Sequence, residues 1–240
     1  MTLHLLLSLL VAIILIAWKC KRKAARSKMP TAQEQEQERL AERRRDTRRR
    51  KWALALADIL ILRNGLKTKD VTLALQIDES KRQHLAQQVK KELGLSDDPR
   101  DGTLHQQVAD IMQRWPAGVG KTPQGFYEQL AAQGQVRDAL AFDCARTAFL
   151  TRCIAGLGWY RDEQTWLVLL LNAQRAQDCF HSWEDYATAY VRARQVWLEL
   201  HQTPTTVAGR DHQEVMQYLE DPLSHWRELP WNDFKIFELN

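Results

Sequence analysis

The stretch FDCARTAFLTRCIAGLGW, Phe142–Trp159, is apolar on almost every side when it is drawn as a helix. At 100° per residue, Phe142 and Phe149 fall on one arc, and small residues such as Cys144 and Ala148 fall on the opposite side. A helix that is apolar nearly all round lies inside a protein rather than on its surface. The stretch therefore predicts the central helix of an all-α domain.

Two charged residues, Asp143 and Arg146, interrupt this apolar helix one turn apart. A buried guanidinium must be paired, because an isolated charge is very costly to remove from water. Asp143 is one partner within reach of Arg146, since residues three apart are neighbours on a helix. Other possible partners are carboxylates of the following segments, namely Asp178, Glu184 and Asp185.

Two hypotheses explain the polar side chains of these helices. In one, they line a polar pocket, where arginines would suit a carboxylate or phosphate ligand through their paired donors. In the other, they form a buried ion-pair network that fixes the register of the helices. The candidate binding residues are Asp143, Arg146, Arg152, His181 and Arg194.

The pattern around this stretch is helical as well. Helix-like segments include WALALADILILRN, DESKRQHLAQQVKKELG, TLHQQVADIMQRW, RDEQTWLVLLLNAQRAQDCFH and SWEDYATAYVRARQVWLELH. Ser182, with Asp185 three residues later, resembles a helix N-cap. Only Leu73–Leu75 offers a short strand candidate. We predict one all-α domain, residues 52–240, with a bundle of about six or seven helices.

The N-terminus differs in kind from the rest of the chain. Leu3–Trp18 contains no charge, and a basic stretch, KCKRKAARSK, follows at once. A cleaved signal peptide has its positive charges before the apolar run, so this order favours a retained transmembrane helix over residues 1–18. We expect a single-pass protein of the bacterial inner membrane, with the N-terminus outside, residues 1–28 in contact with lipid and the remainder in the cytoplasm.

Residues 19–51 carry 14 Lys or Arg and 5 Asp or Glu, whereas residues 52–240 carry 20 and 25. The first of these segments is rich in helix formers and predicts a charged, basic juxtamembrane stalk. No aromatic residues alternate with its charges, so a membrane surface is favoured over nucleic acid. The residues predicted at that surface are Arg43, Arg44, Arg45, Arg48, Arg49, Arg50 and Lys51.

No catalytic constellation appears in the sequence. The seven histidines are scattered without ligand spacing, and no serine occupies a G-x-S-x-G elbow. We therefore predict no metal, no cofactor and no catalytic residue, which favours a function other than catalysis.

Four stretches together resemble the bacterial domain-of-unknown-function 1266 family: WALALADILILRN, AFDCARTAFLTRCIAGLGW, CFHSWEDYATAYVRARQVW and SHWRELPW. They keep the order of that family and extend over Trp52–Trp231. One position departs from the family pattern, because Ala193 precedes Arg194 where the family often has glycine. The resemblance implies a helical domain and supplies no mechanism.

These observations favour a membrane-anchored, cytosolic protein-interaction module whose partner would engage the acidic body or the aromatic C-terminal tail. The alternative is an enzyme or receptor that binds an anionic small ligand in a polar pocket centred on Arg146. The surroundings of Arg146 distinguish the two hypotheses. A dry, filled core would favour the first, whereas a solvent-connected cavity lined by Arg146, Arg152 or Arg194 would favour the second.

Overall fold

A computed structural model describes residues 31–66, 72–114, 122–161, 163–202 and 205–237. These ranges contain ten α-helices, one short 3-10 helix at Pro99–Asp101 and no strand. The α-helices are α1 Ala32–Ala55, α2 Asp58–Arg63, α3 Glu79–Leu93, α4 Leu104–Gln113, α5 Phe126–Ala132, α6 Val136–Leu157, α7 Glu163–Cys179, α8 Trp183–Leu200, α9 Thr205–Glu220 and α10 His225–Glu228.

The chain divides into two compact units, Met1–Asp46 and Thr47–Asn240. In the first unit, α1 begins with a capping box, in which the Glu34 main-chain N–H donates to the Thr31 hydroxyl at 3.2 Å. In return, the Thr31 N–H donates to the Glu34 carboxylate at 2.6 Å. The division into residues 1–18, 19–51 and 52–240 stays a prediction.

The predicted fold class needs two corrections, although its all-α character is confirmed. The described residues form ten helices rather than six or seven. The hydrophobic pattern did not predict the short helices α5 and α10 or the helix α9. In addition, none of these helices is both long and apolar enough to cross a membrane. The longest of them, α1, contains many charged residues.

The predicted transmembrane helix, residues 1–18, lies outside the described residues. Because the described helices supply no membrane span, the prediction of a single-pass protein of the inner membrane, with its N-terminus outside, is wrong on this structure. The membrane-surface role predicted for the basic stalk and the lipid contact predicted for residues 1–28 stay predictions.

Helix α6 is the centre of the second unit, as its sequence predicts. Of its 22 residues, 17 are buried, and it packs against α2, α3, α5, α7 and α8. It ends at Gly158, whose φ of 77° is the left-handed conformation that favours glycine at a helix end. The only residue type without a β-carbon therefore stops the helix where the chain must turn.

A cluster of four tryptophans joins the C-terminal tail to the end of α1. Trp183 stacks on Trp226 with their ring centroids 5.0 Å apart, and Trp231 lies edge-on to Trp52 and Trp183 at 4.8 Å. Three of these indoles also donate to main-chain carbonyls: Trp183 to Leu229 at 2.7 Å, Trp226 to Ala55 at 2.9 Å and Trp231 to Phe180 at 2.9 Å. Buried aromatic area and satisfied N–H groups together stabilise this packing.

The segment WALALADILILRN was expected to form one helix, but it breaks at Leu56 and Ala57 between α1 and α2. Carbonyls released by such a break need new donors when they are buried. The Trp226 indole donates to the Ala55 carbonyl, and the Tyr186 hydroxyl donates to the Leu56 carbonyl at 3.2 Å. Side chains that are distant in sequence therefore stabilise the break.

The N-cap predicted at Ser182 is also confirmed, and other helix ends are capped as well. The Ser182 hydroxyl accepts from the Asp185 N–H at 3.1 Å at the start of α8, and Gly94 ends α3 with a φ of 67°. At the start of α4, Thr103 and Gln106 form a complete capping box.

Gly156, near the end of α6, provides a test of how closely the segment before α3 packs on this helix. A β-carbon at Gly156 would lie 2.8 Å from the Leu75 carbonyl oxygen and 2.9 Å from Ile77 Cδ1. Alanine normally stabilises a helix interior relative to glycine by ~1 kcal/mol. Here we expect Gly156→Ala to reverse that sign and lower the free energy of unfolding by about 1–3 kcal/mol, measured by urea denaturation.

Gly134→Ala is the control, because a β-carbon at Gly134 would meet no atom within 4 Å, while the φ of this residue is +68°. It should cost only about 1 kcal/mol, from backbone strain alone. A stabilising effect of Gly156→Ala would contradict the close contact between Gly156 and Leu75.

Candidate functional site

An open cavity of about 500 Å³ lies among α2, α3, α6 and α8. Its lining contains four cationic side chains, one carboxylate and several apolar groups. The residues are Leu60, Arg63, Asn64, Leu85, Gln88, Val89, Lys91, Glu92, Phe142, Arg146, Phe149, Leu150, Arg194, Trp197 and His201. Its volume falls in the range of small-molecule sites, roughly 300–1,000 Å³.

Arg146 enters this cavity from the central helix. Its side chain is 8% exposed and forms an ion pair of 2.5 Å with Glu92 of α3, whose side chain is 39% exposed. The guanidinium also lies over the Phe142 ring, 5.5 Å from the ring centroid. The cation is therefore held from the protein side, whereas its carboxylate partner reaches solvent.

A second cationic group consists of Arg63 of α2 and Arg194 of α8, which share the carboxylate of Asp211. Arg194 Nε donates to one oxygen of Asp211 at 2.5 Å, and Arg63 binds the other oxygen. Arg63 also lies 3.6 Å from Glu214. The Asp211 side chain is only 2% exposed, so both guanidinium groups are anchored from behind the cavity.

The two arginines repel each other across their shared carboxylate. Burial is the main cause that lowers the pKa of Arg63, and the positive charge of Arg194 lowers it further. Arg63 is still a cation at neutral pH, because a free guanidinium has a pKa above 12. An anion entering the cavity would offset this repulsion.

The chemistry offered by this lining is anion binding. Guanidinium groups present parallel N–H donors that match the oxygens of a carboxylate or phosphate. Within the described ranges, no group of three or more His, Cys, Asp or Glu side chains is arranged to hold a metal ion.

Of the five candidate binding residues, Arg146 and Arg194 line this cavity together. Asp143 lies next to it on α6, where its carboxylate accepts a hydrogen bond from the Tyr127 hydroxyl at 3.1 Å. Burial raises the pKa of the Asp143 carboxyl, and the Tyr127 hydrogen bond and Arg146 offset part of that rise. The ion pair formed by Arg146 is with Glu92 rather than with the carboxylates considered from the sequence.

Arg152 belongs to a sealed polar cluster instead. Its side chain is 2% exposed, donates to the Thr72 carbonyl at 3.3 Å and lies 3.8 Å from the carboxylate of Asp58. The other oxygen of Asp58 accepts from the Tyr218 hydroxyl at 2.7 Å and contacts His225 Nδ1 at 2.8 Å. Burial lowers the pKa of Arg152, and Asp58 offsets part of that effect.

His181 lies at a separate cavity of about 520 Å³, which is lined mainly by the tail and the start of α8. Its main-chain N–H donates to Asp185 at 3.1 Å, and its carbonyl accepts from Asn232 at 3.2 Å. The five candidates are therefore distributed over three places, and only two of them meet around the same space.

The basic residues predicted at a membrane surface divide into two groups. Arg43, Arg44 and Arg45 are exposed on α1. The other four belong to the second unit and contact its other parts: Arg48 with Asp233, Arg49 with the Lys235 carbonyl at 3.2 Å, Arg50 over the Trp166 ring at 4.8 Å and Lys51 with Glu228 at 2.5 Å. These four residues therefore stabilise the packing of the second unit.

Three charged residues of the cavity and its support were not predicted from the sequence: Arg63, Glu92 and Asp211. Arg63 is the last residue of an apolar helix, where the helix dipole commonly favours a basic side chain. Glu92 lies in the charged last turn of α3, and Asp211 lies within α9. No local pattern distinguishes these positions, because their role arises only when the four helices meet.

The fold and the cavity define an all-α domain with a cationic pocket beside its central helix. A model of the family described as "Protein of unknown function (DUF1266)" matches residues 10–231, and the chain therefore belongs to that family. No curated protein and no solved structure matches the chain.

The sealed cluster around Arg152 gives a test of a purely structural ion pair. Asp58→Asn would leave the buried Arg152 guanidinium without its counter-charge, and breaking a buried pair in this way costs about 3–5 kcal/mol. We expect a loss of that size in the free energy of unfolding, measured by urea denaturation.

Asp98→Asn is the matched control, since it removes an ion pair with Arg100 at the surface. It should leave the denaturation midpoint unchanged. Equal effects of the two substitutions would contradict the assignment of Asp58 to the core.

Proposed function

We propose that this domain binds a small anionic ligand in the cavity lined by Arg63, Arg146 and Arg194. One observation supports the proposal above all. Arg63 and Arg194 share one buried carboxylate, that of Asp211, at the edge of an open cavity. Arg146 enters the same cavity from the central helix.

The three guanidinium groups are held in place before any ligand arrives. Arg63 and Arg194 are fixed through Asp211, and Arg194 also lies 5.6 Å from the Trp197 ring centroid. Arg146 is fixed against Phe142 and comes from a different helix. Preorganised donors on rigid helices reduce the entropy lost on binding, so they favour recognition of a defined anion.

Glu92 is the group that a ligand would replace. Among the described residues that line the cavity it is the one carboxylate, and its partial exposure leaves it able to turn towards solvent. An incoming anion would take its position at Arg146 without leaving that guanidinium unpaired. Glu92 therefore competes with the ligand.

The protein-interaction hypothesis relied in part on the aromatic C-terminal tail. Two tryptophans of that tail, Trp226 and Trp231, are only 3% and 5% exposed and pack in the chain's own core. A partner protein could not reach these two side chains. This favours the hypothesis of an anionic ligand over that of a protein partner bound at the tail. The proposal concerns binding and includes no reaction.

The ion pair between Arg146 and Glu92 provides a test with two opposite outcomes. Arg146→Gln removes a ligand donor and should weaken anion binding about tenfold or more. Glu92→Gln removes the competitor and should strengthen binding several-fold. Both changes are measured by calorimetric titration of the full chain with two probe anions, pyrophosphate and 8-anilinonaphthalene-1-sulfonate.

A merely structural ion pair would respond differently, because loss of either partner would then impair the protein in the same direction. Arg100→Gln is the control for charge, since Arg100 pairs with Asp98 at the surface, away from the cavity lining. It should leave both titrations unchanged. If neither probe bound to the wild-type chain in an Arg146-dependent manner, the proposed function would be wrong.

A further inference from the structure

We infer that the ligand of this cavity is an amphipathic organic anion, such as a carboxylate with an apolar body, rather than an inorganic phosphate or a polyphosphate. This inference rests on the proposed function and adds the chemical class of the ligand. It follows from the size of the cavity, its apolar lining and its balance of charge.

The cavity is much larger than an inorganic anion. A water molecule takes ~30 Å³ of liquid volume, and a phosphate or sulfate ion takes only a few times that volume. Such an ion would leave most of the roughly 500 Å³ to water. A ligand that fits the space therefore has a body attached to its anionic group.

The lining indicates that this body is apolar. Seven of the fifteen lining residues are hydrophobic, and they come from all four helices: Leu60, Leu85, Val89, Phe142, Phe149, Leu150 and Trp197. Each arginine has one of them within a helical turn, as Arg146 has Phe142 before it and Phe149 after it. A ligand that reaches a guanidinium therefore also meets hydrophobic surface, whose burial contributes ~25 cal/mol per Å².

The charges around the cavity match a small anionic head group. The lining holds four cations, Arg63, Lys91, Arg146 and Arg194. When a ligand displaces Glu92, the carboxylates still paired to these cations number two, Asp211 and Glu214, so two positive charges remain to be balanced. A polyphosphate would bring more negative charge than this surplus, at a desolvation cost that the remaining cations do not offset.

The test is a titration of the full chain with four probes that separate charge from apolar body. Decanoate has both, decanol has only the body, and pyrophosphate and AMP have more charge on polar bodies. We expect decanoate to bind at least tenfold more tightly than each of the other three. Arg146→Gln and Arg63→Gln should each weaken decanoate binding about tenfold, and Arg100→Gln should not.

Other outcomes separate this inference from the proposed function. If pyrophosphate or AMP bound more tightly than decanoate in an Arg146-dependent manner, the cavity would bind anions but the inferred ligand class would be wrong. If decanol bound as tightly as decanoate, the carboxylate would contribute nothing to binding and the inferred ligand class would be wrong. If no anion bound in a manner that depends on Arg146, both proposals would fail.

A second pair of variants tests the apolar body directly. Phe149 lines the cavity and is 9% exposed, whereas Val136 is a hydrophobic residue on the surface, 56% exposed. Phe149→Ala should weaken decanoate binding about fivefold and leave the folded fraction measured by circular dichroism unchanged at low temperature. Val136→Ala should change neither quantity. Since the probe panel on the wild-type chain requires no variant, the inference remains testable even if Phe149→Ala fails to fold.

Discussion

The requirement to pair the buried charges of α6 organises the domain. A central helix normally carries apolar residues, but α6 has buried charged side chains at Asp138, Arg146 and Arg152. Each pairs with a different neighbour: Asp138 with Arg192 of α8 at 2.5 Å, Arg146 with Glu92 of α3 and Arg152 with Asp58 of α2. Because a lone buried charge is so costly, these pairs restrict which helices can pack on α6 and in what register.

The same kind of ion pair has different consequences according to the exposure of its acidic partner. Asp58 is sealed between Arg152, Tyr218 and His225, so that pair can only stabilise the fold. Glu92 faces an open cavity, where we propose that a ligand anion takes its place at Arg146. The structural ion pair and the proposed anion pocket therefore use charged residues of the same helix.

Helices with strong local signals were predictable, and the errors occurred where tertiary contacts decide. Helices α3, α6 and α8 follow from hydrophobic periodicity together with Gly94, Gly158 and the Ser182 cap. The break between α1 and α2 has no local signal, because its carbonyls are satisfied by Trp226 and Tyr186 from distant segments. The membrane prediction came from one apolar run and the basic residues that follow it, and none of the described helices is long and apolar enough to cross a membrane.

The sequence by itself determined that α6 is central, that the domain is all-α and that Arg146 needs a partner, since these follow from periodicity, helix propensity and the cost of burying charge. Only the tertiary structure decided which carboxylate that partner is and that Arg63, Arg146 and Arg194 meet around one cavity. The reason is physical. Ion-pair partners and cavity linings are set by the angles and distances at which whole helices pack, and these depend on contacts between residues far apart in the chain.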